Sequence, residues 1–193
     1  MATHVALLRG INVGGRNKVP MAELREVVTS LGYTGVTTYI QTGNVLFSTT
    51  SISPAELASA LESAIAGAFG IRAPVVVVTR DELAGVLKDN PYPDEPNPRL
   101  VHVVFLSAGP PKDRLDRIAA AESAAAAKGG RDTVIATGRA LFLHTPDGYG
   151  NSELAQAVFR IISAPGKQKT ENLVATARNW ATATKLLSLS DEK

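Results

Sequence analysis

Two eight-residue stretches, Ile40-Gln41-Thr42-Gly43-Asn44-Val45-Leu46-Phe47 and Ile135-Ala136-Thr137-Gly138-Arg139-Ala140-Leu141-Phe142, share the pattern I-x-T-G-x-x-L-F. In each, a threonine–glycine turn signal separates two strand-like runs, which is typical of a β-hairpin. Glu56-Leu57-Ala58 also recurs as Glu153-Leu154-Ala155. The matched letters are few, and the order of the predicted elements supports a duplication more strongly. We therefore predict two copies of one unit.

The first 80 residues predict the element order βαββαβ. Met21–Leu31 places its apolar residues on one helical face, and the capping box Ser53–Glu56 opens a second helix. The predicted strands are His4–Arg9, Val36–Gln41, Val45–Thr49 and Val75–Val78. This order is typical of the split-βαβ, ferredoxin-like pattern, and right-handed crossovers then give the sheet order 4-1-3-2.

The second copy follows a proline-rich stretch, Asn90–Pro98, that cannot continue a helix or a central strand. A short helix capped by Thr79–Glu82 precedes this linker. The predicted elements of the second copy are strands Leu100–Ser107, Thr133–Ala136, Ala140–His144 and Leu173–Thr176, helices Asp113–Lys128 and Asn151–Ile162, and a final helix carrying Trp180, Ala183 and Leu187. We expect an α+β protein of two ferredoxin-like halves, residues 1–80 and 100–193, joined by a helix and linker over 81–99, with an extra C-terminal helix.

Composition excludes several classes of function. The chain has 193 residues, no cysteine and a net charge of only +2, so thiolate chemistry and cysteine-bound metals are absent. No apolar run approaches the ~20 residues of a membrane span, and no secretory leader is recognisable. His4, His102 and His144 lack the spacing of a metal site. We expect a cytoplasmic protein that requires neither a metal nor a cofactor.

The loop after the first predicted strand is the candidate ligand site. It is rich in glycine, asparagine and cations, and the first acid of the chain is Glu23. In the predicted sheet, this loop and the Thr42–Asn44 turn lie at the same edge, so their side chains converge. The candidate ligand-binding residues are Arg9, Gly10, Asn12, Gly14, Gly15, Asn17, Lys18, Gln41, Thr42 and Asn44. Arg9, Asn12 and Lys18 are expected to make the main contacts.

A structural interpretation of the same loop stands beside the functional one. The glycines then satisfy positive φ angles in a strand–helix connector, and Asn44 is a turn residue with positive φ. The spacing G-x-x-x-G-G matches neither the Walker A motif nor the dinucleotide fingerprint. A second lobe of the site is predicted at Arg178, Asn179, Trp180 and Lys185. Its structural alternative makes Asn179 a helix cap and Trp180 a core anchor.

Three motifs together resemble one family. They are Leu7-Leu8-Arg9-Gly10-Ile11-Asn12-Val13-Gly14-Gly15, Tyr39-Ile40-Gln41-Thr42-Gly43-Asn44-Val45, and Arg178-Asn179-Trp180-Ala181-Thr182 with Lys185-Leu186. The chain is identified as a member of domain-of-unknown-function family 1697, a bacterial set. The resemblance implies a two-subdomain α+β fold with ferredoxin-like halves. It implies no activity, substrate or catalytic residue.

These observations leave three hypotheses about function and do not decide whether the protein is an enzyme. The first is binding of a small anionic or nucleotide-like ligand at the glycine-rich loop. The second is a protein-interaction module or homodimer. Val75–Val78 and Val101–Leu106 are apolar on both faces, and either the second copy, the terminal helix or another subunit must cover them. The third is RNA binding, for which the basic candidates are Arg9, Arg16 and Lys18 near the start and Lys167, Lys169, Arg178 and Lys185 near the end. Nucleic acid is the least expected partner, since Phe47 is the only aromatic residue on the two central strands of the first copy, His4–Arg9 and Val45–Thr49.

Overall fold

A computed structural model describes residues 1–50, 53–166 and 172–192. The chain divides into two compact units, Met1–Gly85 with Thr184–Lys193 (unit 1) and Val86–Ala183 (unit 2). Lys167 and Lys169, two of the basic candidates, lie outside the described residues. No described helix is long and apolar enough to span a membrane.

Unit 1 contains one four-stranded antiparallel sheet with helices after its strands. The elements in chain order are β1 (His4–Leu8), α1 (Met21–Ser30), β2 (Thr34–Tyr39), β3 (Asn44–Ser48), α2 (Pro54–Phe69), β4 (Val75–Thr79) and α3 (Arg80–Lys88). The strand order β2-β3-β1-β4 confirms the predicted 4-1-3-2 arrangement. Ser53 caps α2 by accepting the Glu56 N–H at 3.3 Å, as the capping box predicts.

Unit 2 repeats this arrangement. The next elements in chain order are β5 (Val101–Leu106), α4 (Lys112–Ala126), β6 (Thr133–Thr137), β7 (Ala140–His144), α5 (Glu153–Ile162), β8 (Ala175–Asn179) and α6 (Trp180–Asp191). Helix α6 begins in unit 2, and its residues from Thr184 onward belong to unit 1. The strand order β6-β7-β5-β8 is the same as in unit 1. The prediction of an α+β chain with two ferredoxin-like halves is therefore confirmed.

The final helix has a counterpart in the first copy. β4 runs directly into α3, and β8 runs directly into α6. Thr79 caps α3 by accepting the Glu82 N–H at 3.0 Å, and Asn179 caps α6 by accepting the Thr182 N–H at 2.8 Å. Since both caps stand at the last residue of the fourth strand, α6 is the repeat of α3 and not an addition to the second copy.

The letters shared by the two hairpins do not occupy equivalent positions, which corrects the sequence comparison. His4 pairs with Phe47, whereas His102, at the same place on its central strand, pairs with Leu143. Phe142 is thus one residue out of register with Phe47 and faces the opposite side of its sheet. The connections of the two hairpins differ in length, so a sequence alignment through the connection does not align structurally equivalent residues of the strands.

Two strands, β2 and β8, differ from their predicted bounds by two residues or more at both ends. β2 ends at Tyr39 because Tyr39 pairs with Asn44, which leaves residues 40–43 to connect the strands. β8 begins at Ala175 and continues to Asn179, because its pairing with β5 extends from Leu106 back to His102.

Strands β1, β4 and β5 carry buried residues on both of their faces. In unit 1 the helix-facing cluster includes Ala6, Leu8, Val45 and Phe47, and the alternate residues of β1 and β4, such as Leu7 and Val76, are equally buried. In unit 2, Val103 and Phe105 on the face opposite to Val104 are also inaccessible to solvent.

Candidate functional site

The loop between β1 and α1, residues 9–20, folds as a miniature β-hairpin. Gly14 and Gly15 have φ angles of 57° and 76°, which is the pattern of a type I′ turn. Val13 and Arg16 form a bridge across it, with the Arg16 N–H donating to the Val13 carbonyl at 3.0 Å. With Gly10 at 74°, the positive φ angles that the structural interpretation predicts are present. The turn carries the exposed side chains of Val13 and Arg16 at its tip.

Asn12 holds this loop in place through its side chain. Its amide group donates to the carbonyls of Val19 and Gln41, both at 2.9 Å, and its Oδ1 accepts the Val19 N–H at 2.8 Å. Asn17 makes a similar link by donating to the Gly10 carbonyl at 2.8 Å. An asparagine amide has two N–H donors, so those of Asn12 are both used. Asn12 therefore shapes the loop, and donors for a ligand must come from other groups.

The β2–β3 connection, residues 40–43, lies beside this loop. Its positive φ angles belong to Ile40 (49°) and Gly43 (84°), so the prediction of a positive φ at Asn44 is wrong. Asn44 is already the first residue of β3, fully buried, and its amide donates to the Tyr39 carbonyl at 2.9 Å and to Thr42 Oγ1 at 3.2 Å. The Gln41 carbonyl, bonded to Asn12, joins the two connections.

Gly43 is required by close packing as well as by its φ angle. A Cβ atom there would lie 2.7 Å from the Cβ of Leu8 and 3.0 Å from Cδ1 of Ile11. The Gly43 carbonyl also accepts the Leu8 N–H at 2.8 Å. The loop after β1 thus packs Ile11 directly against the hairpin, and this contact fixes the edge of the sheet.

A groove of about 410 Å³ opens between the two connections and the start of α1. Four predicted site residues line it, together with three residues that the sequence interpretation missed. The lining residues are Asn12, Gly15, Lys18 and Gln41 from the prediction, and Val19, Pro20 and Met21 in addition. The helix start after Pro20 was the available signal for the three that were missed. The remaining candidates, Arg9, Gly10, Gly14, Asn17, Thr42 and Asn44, stand outside this lining.

The groove lies at a helix N-terminus that no described side chain caps. Pro20 occupies the N-cap position of α1 and offers no side-chain acceptor to the first N–H groups. Lys18 is exposed at the rim, and Glu23 in the first turn of α1 is the nearest acid in the sequence. The groups that can donate to a ligand therefore include the Lys18 ammonium, the Gln41 side-chain amide and the first backbone N–H groups of α1.

The equivalent place in unit 2 is built differently. α4 also follows a proline, Pro111, whose side chain makes no capping hydrogen bond. A cavity of about 450 Å³ lies beside the start of this helix. Arg114 in this cavity is buried and donates to the carbonyls of Ile162 and Ala164. Its guanidinium thus compensates the C-terminal carbonyls of α5, and Asp113 adds an acid to the lining.

The residues of the predicted second lobe fill structural roles. Arg178 is only 8% exposed, and it donates to Thr176 Oγ1 and to the Ala177 carbonyl, both at 2.8 Å. Burial lowers the pKa of Arg178 to about 10. Asn179 caps α6, which confirms its structural alternative, and Trp180 is half-buried at the first position of that helix. Lys185 belongs to unit 1 and lies 3.6 Å from Glu192.

The histidines occupy structural positions, and no three described metal-ligating side chains form a group that could hold an ion. His4 and His102 stand at equivalent strand positions, stacked on Phe47 and Tyr149 with ring centroids 5.6 and 4.0 Å apart. Burial lowers the pKa of both, to about 4 for His102, while Glu82 partly offsets the effect at His4.

Phe47 has no face on which a nucleotide base can stack. It is fully buried between the rings of His4 and Tyr33. RNA-recognition motifs need exposed aromatic residues on the central strands. Unit 1 therefore lacks the feature that would let its sheet bind RNA in that way.

Comparison with known proteins places the chain in a family. Residues 1–142 match the family described as "Protein of unknown function (DUF1697)". The chain belongs to this family. Among solved structures it is similar to the conserved bacterial protein SP0830 from Streptococcus pneumoniae, with a TM-score of 0.69 and 22% identity over 98% of this chain and 99% of that one. At this identity the likeness shows the fold alone. No curated protein gives a significant match.

Proposed function

We propose that this protein binds an anionic ligand, through a phosphate or carboxylate group, in the groove between residues 12–21 and Gln41. One observation carries the proposal. The two units share their element order, but two neighbouring connections at this edge are longer in unit 1: its strand–helix connection has twelve residues (9–20) against five (107–111), and its hairpin connection has four (40–43) against two (138–139). Asn12 joins the two enlarged connections. Binding residues are concentrated in such loops on a rigid scaffold.

The charges around the groove favour an anion. Arg16 and Lys18 are exposed, and the sequence has no acid before Glu23. Backbone N–H groups at a helix N-terminus attract anions, and a hydrogen bond to a charged group contributes about 1.5–3 kcal/mol. The half-buried side chain of Met21 in the lining offers an apolar surface to a non-polar part of the ligand, as in a nucleotide-like molecule.

Isothermal titration with inorganic phosphate, pyrophosphate and a mononucleotide tests the proposal. Lys18→Met should weaken binding by about 10- to 100-fold, which is the loss of one charge-assisted hydrogen bond. Lys112→Met is the matched control, because Lys112 lies at the start of the equivalent helix and pairs with Asp116 at 2.7 Å; it should bind normally. Glu23→Gln should strengthen binding by removing the nearest negative charge.

Two results would contradict the proposal. One is that none of the three probes binds the native protein. The other is that Lys112→Met weakens binding as much as Lys18→Met does. In that case the anion interacts with helix termini in general and not with the groove.

A further inference from the structure

Two apolar side chains are exposed at the enlarged edge of unit 1. Val13 is 62% exposed at the tip of the miniature hairpin, and Ile40 is 46% exposed in the neighbouring connection. Each stands one residue away from the hydrogen bond between Asn12 and Gln41. Of the described residues, only Met1 and Ile135 are comparable exposed large hydrophobics. Two of these four exposed hydrophobic residues therefore lie at the enlarged edge of unit 1.

Ile40 is held in a conformation that its side chain disfavours. Its φ angle is 49°, in the left-handed region that β-branched residues avoid. The carbonyls on either side of it are fixed, that of Tyr39 by the Asn44 amide and that of Gln41 by the Asn12 amide, both at 2.9 Å. The chain therefore keeps a strained apolar residue in solvent, where asparagine or glycine would be stable without strain. Strain of this kind is concentrated at functional sites.

The charge of this edge indicates what contacts it. Residues 1–22 contain no acidic residue, and residues 33–55 contain no charged residue. Arg16 and Lys18 are exposed in the same loop as Val13. The complementary surface is therefore acidic and partly apolar. Single-stranded nucleic acid stacks on aromatic side chains, and aromatic side chains anchor proteins at membrane interfaces. Residues 9–20 and 40–43 contain none.

We propose that this edge is a docking surface for an acidic polypeptide segment. Carboxylates of the segment pair with Arg16 and Lys18, and an apolar side chain packs on Val13 and Ile40. The inference rests on the proposed function, because it makes the anion in the Lys18 groove a carboxylate carried by a protein. The loops are fixed by hydrogen bonds before binding, so little entropy is lost when the segment docks.

Selection of displayed random peptides on the native protein, followed by titration of the selected peptides, tests this inference. The selected peptides should combine Asp or Glu with a large apolar residue. Ile40→Asn should raise the melting temperature, because asparagine tolerates the left-handed conformation, and yet weaken peptide binding about tenfold or more. Ile135→Thr changes an exposed isoleucine in unit 2 and is the matched control, with unchanged binding. A variant that is more stable but binds less cannot be explained by misfolding.

The phosphate titration separates this inference from the proposed function. Lys18-dependent phosphate binding without peptide selection would overturn the inference and leave the proposed function intact. Loss of both would overturn both. Ile40-dependent binding to phosphatidylserine vesicles or to a single-stranded oligoribonucleotide, with no peptide binding, would also overturn the inference, because the anionic partner would then be a different class of molecule.

Discussion

Asn12→Asp should destabilise the protein even though the two side chains have the same shape. The substitution removes the two donors that bind the Val19 and Gln41 carbonyls and keeps the oxygen that accepts the Val19 N–H. Two hydrogen bonds contribute about 1–3 kcal/mol together, and a carboxylate beside two carbonyl oxygens adds repulsion. We expect a loss of about 2–3 kcal/mol at neutral pH, or about 4–12 °C in melting temperature for a chain of this size.

The pH dependence of this variant identifies the cause. A carboxyl that faces carbonyl oxygens has a raised pKa in the folded state, because its neutral form donates a hydrogen bond and its charged form does not. The stability difference from the native protein should therefore be largest at pH 7 and shrink as the pH falls to about 4. Denaturant titrations across this range measure it. Asn179→Asp is the control, since aspartate caps a helix as well as asparagine does. Equal stability of Asn12→Asp and the native protein at pH 7 would refute the role of Asn12.

Two further predictions concern stability. Gly43→Ala should lower the free energy of unfolding by about 2–4 kcal/mol, because the new Cβ would overlap Leu8 and the φ angle is 84°. Gly138→Ala should lower it by only about 1 kcal/mol, because Gly138 has a φ of 56° but open space around it. Equal losses of the two variants in denaturant titrations would contradict the packing argument. Burial lowers the pKa of His102 from 6.5 to about 4. As the pH falls below 6.5, the histidine is therefore protonated in the unfolded chain before it is protonated in the folded one. The free energy of unfolding should fall by about 2–3 kcal/mol between pH 6.5 and pH 4. His102→Phe should remove this part of the pH dependence, and an unchanged pH profile would show that another group is responsible.

The order of elements and the sheet topology could be predicted because hydrophobic periodicity and crossover handedness leave few arrangements. The sequence comparison did not predict the register in which the hairpin strands pair with the central strand. The shared letters of the hairpins suggested one alignment, but the pairing of His4 with Phe47 and of His102 with Leu143 requires another. Tertiary pairing with the central strand, which no local pattern reveals, decides that alignment.

The sequence predicts that the loop after β1 and the hairpin connection lie at the same edge, and the hydrogen bond between Asn12 and Gln41 confirms this. Gly14-Gly15 between Val13 and Arg16 is a type I′ turn signal, but no alternating strand pattern accompanies it, because a single β-bridge closes the turn. The asparagines are candidates for ligand contact, yet Asn12 donates to two backbone carbonyls, and Asn44 donates to the Tyr39 carbonyl and to Thr42 Oγ1. A sequence shows which side chains are polar, but not which backbone groups have already engaged them.

Amide chemical-shift mapping during titration with pyrophosphate tests the central claim most directly, because the duplicated fold supplies its own control. The account predicts saturable shifts at residues 12–23 and 40–43 of unit 1 and none of comparable size at residues 107–114, where α4 also begins after a proline without a side-chain cap. Equal shifts at the two helix starts, or shifts confined to unit 2, would contradict the claim that the enlarged edge of unit 1 is the binding site.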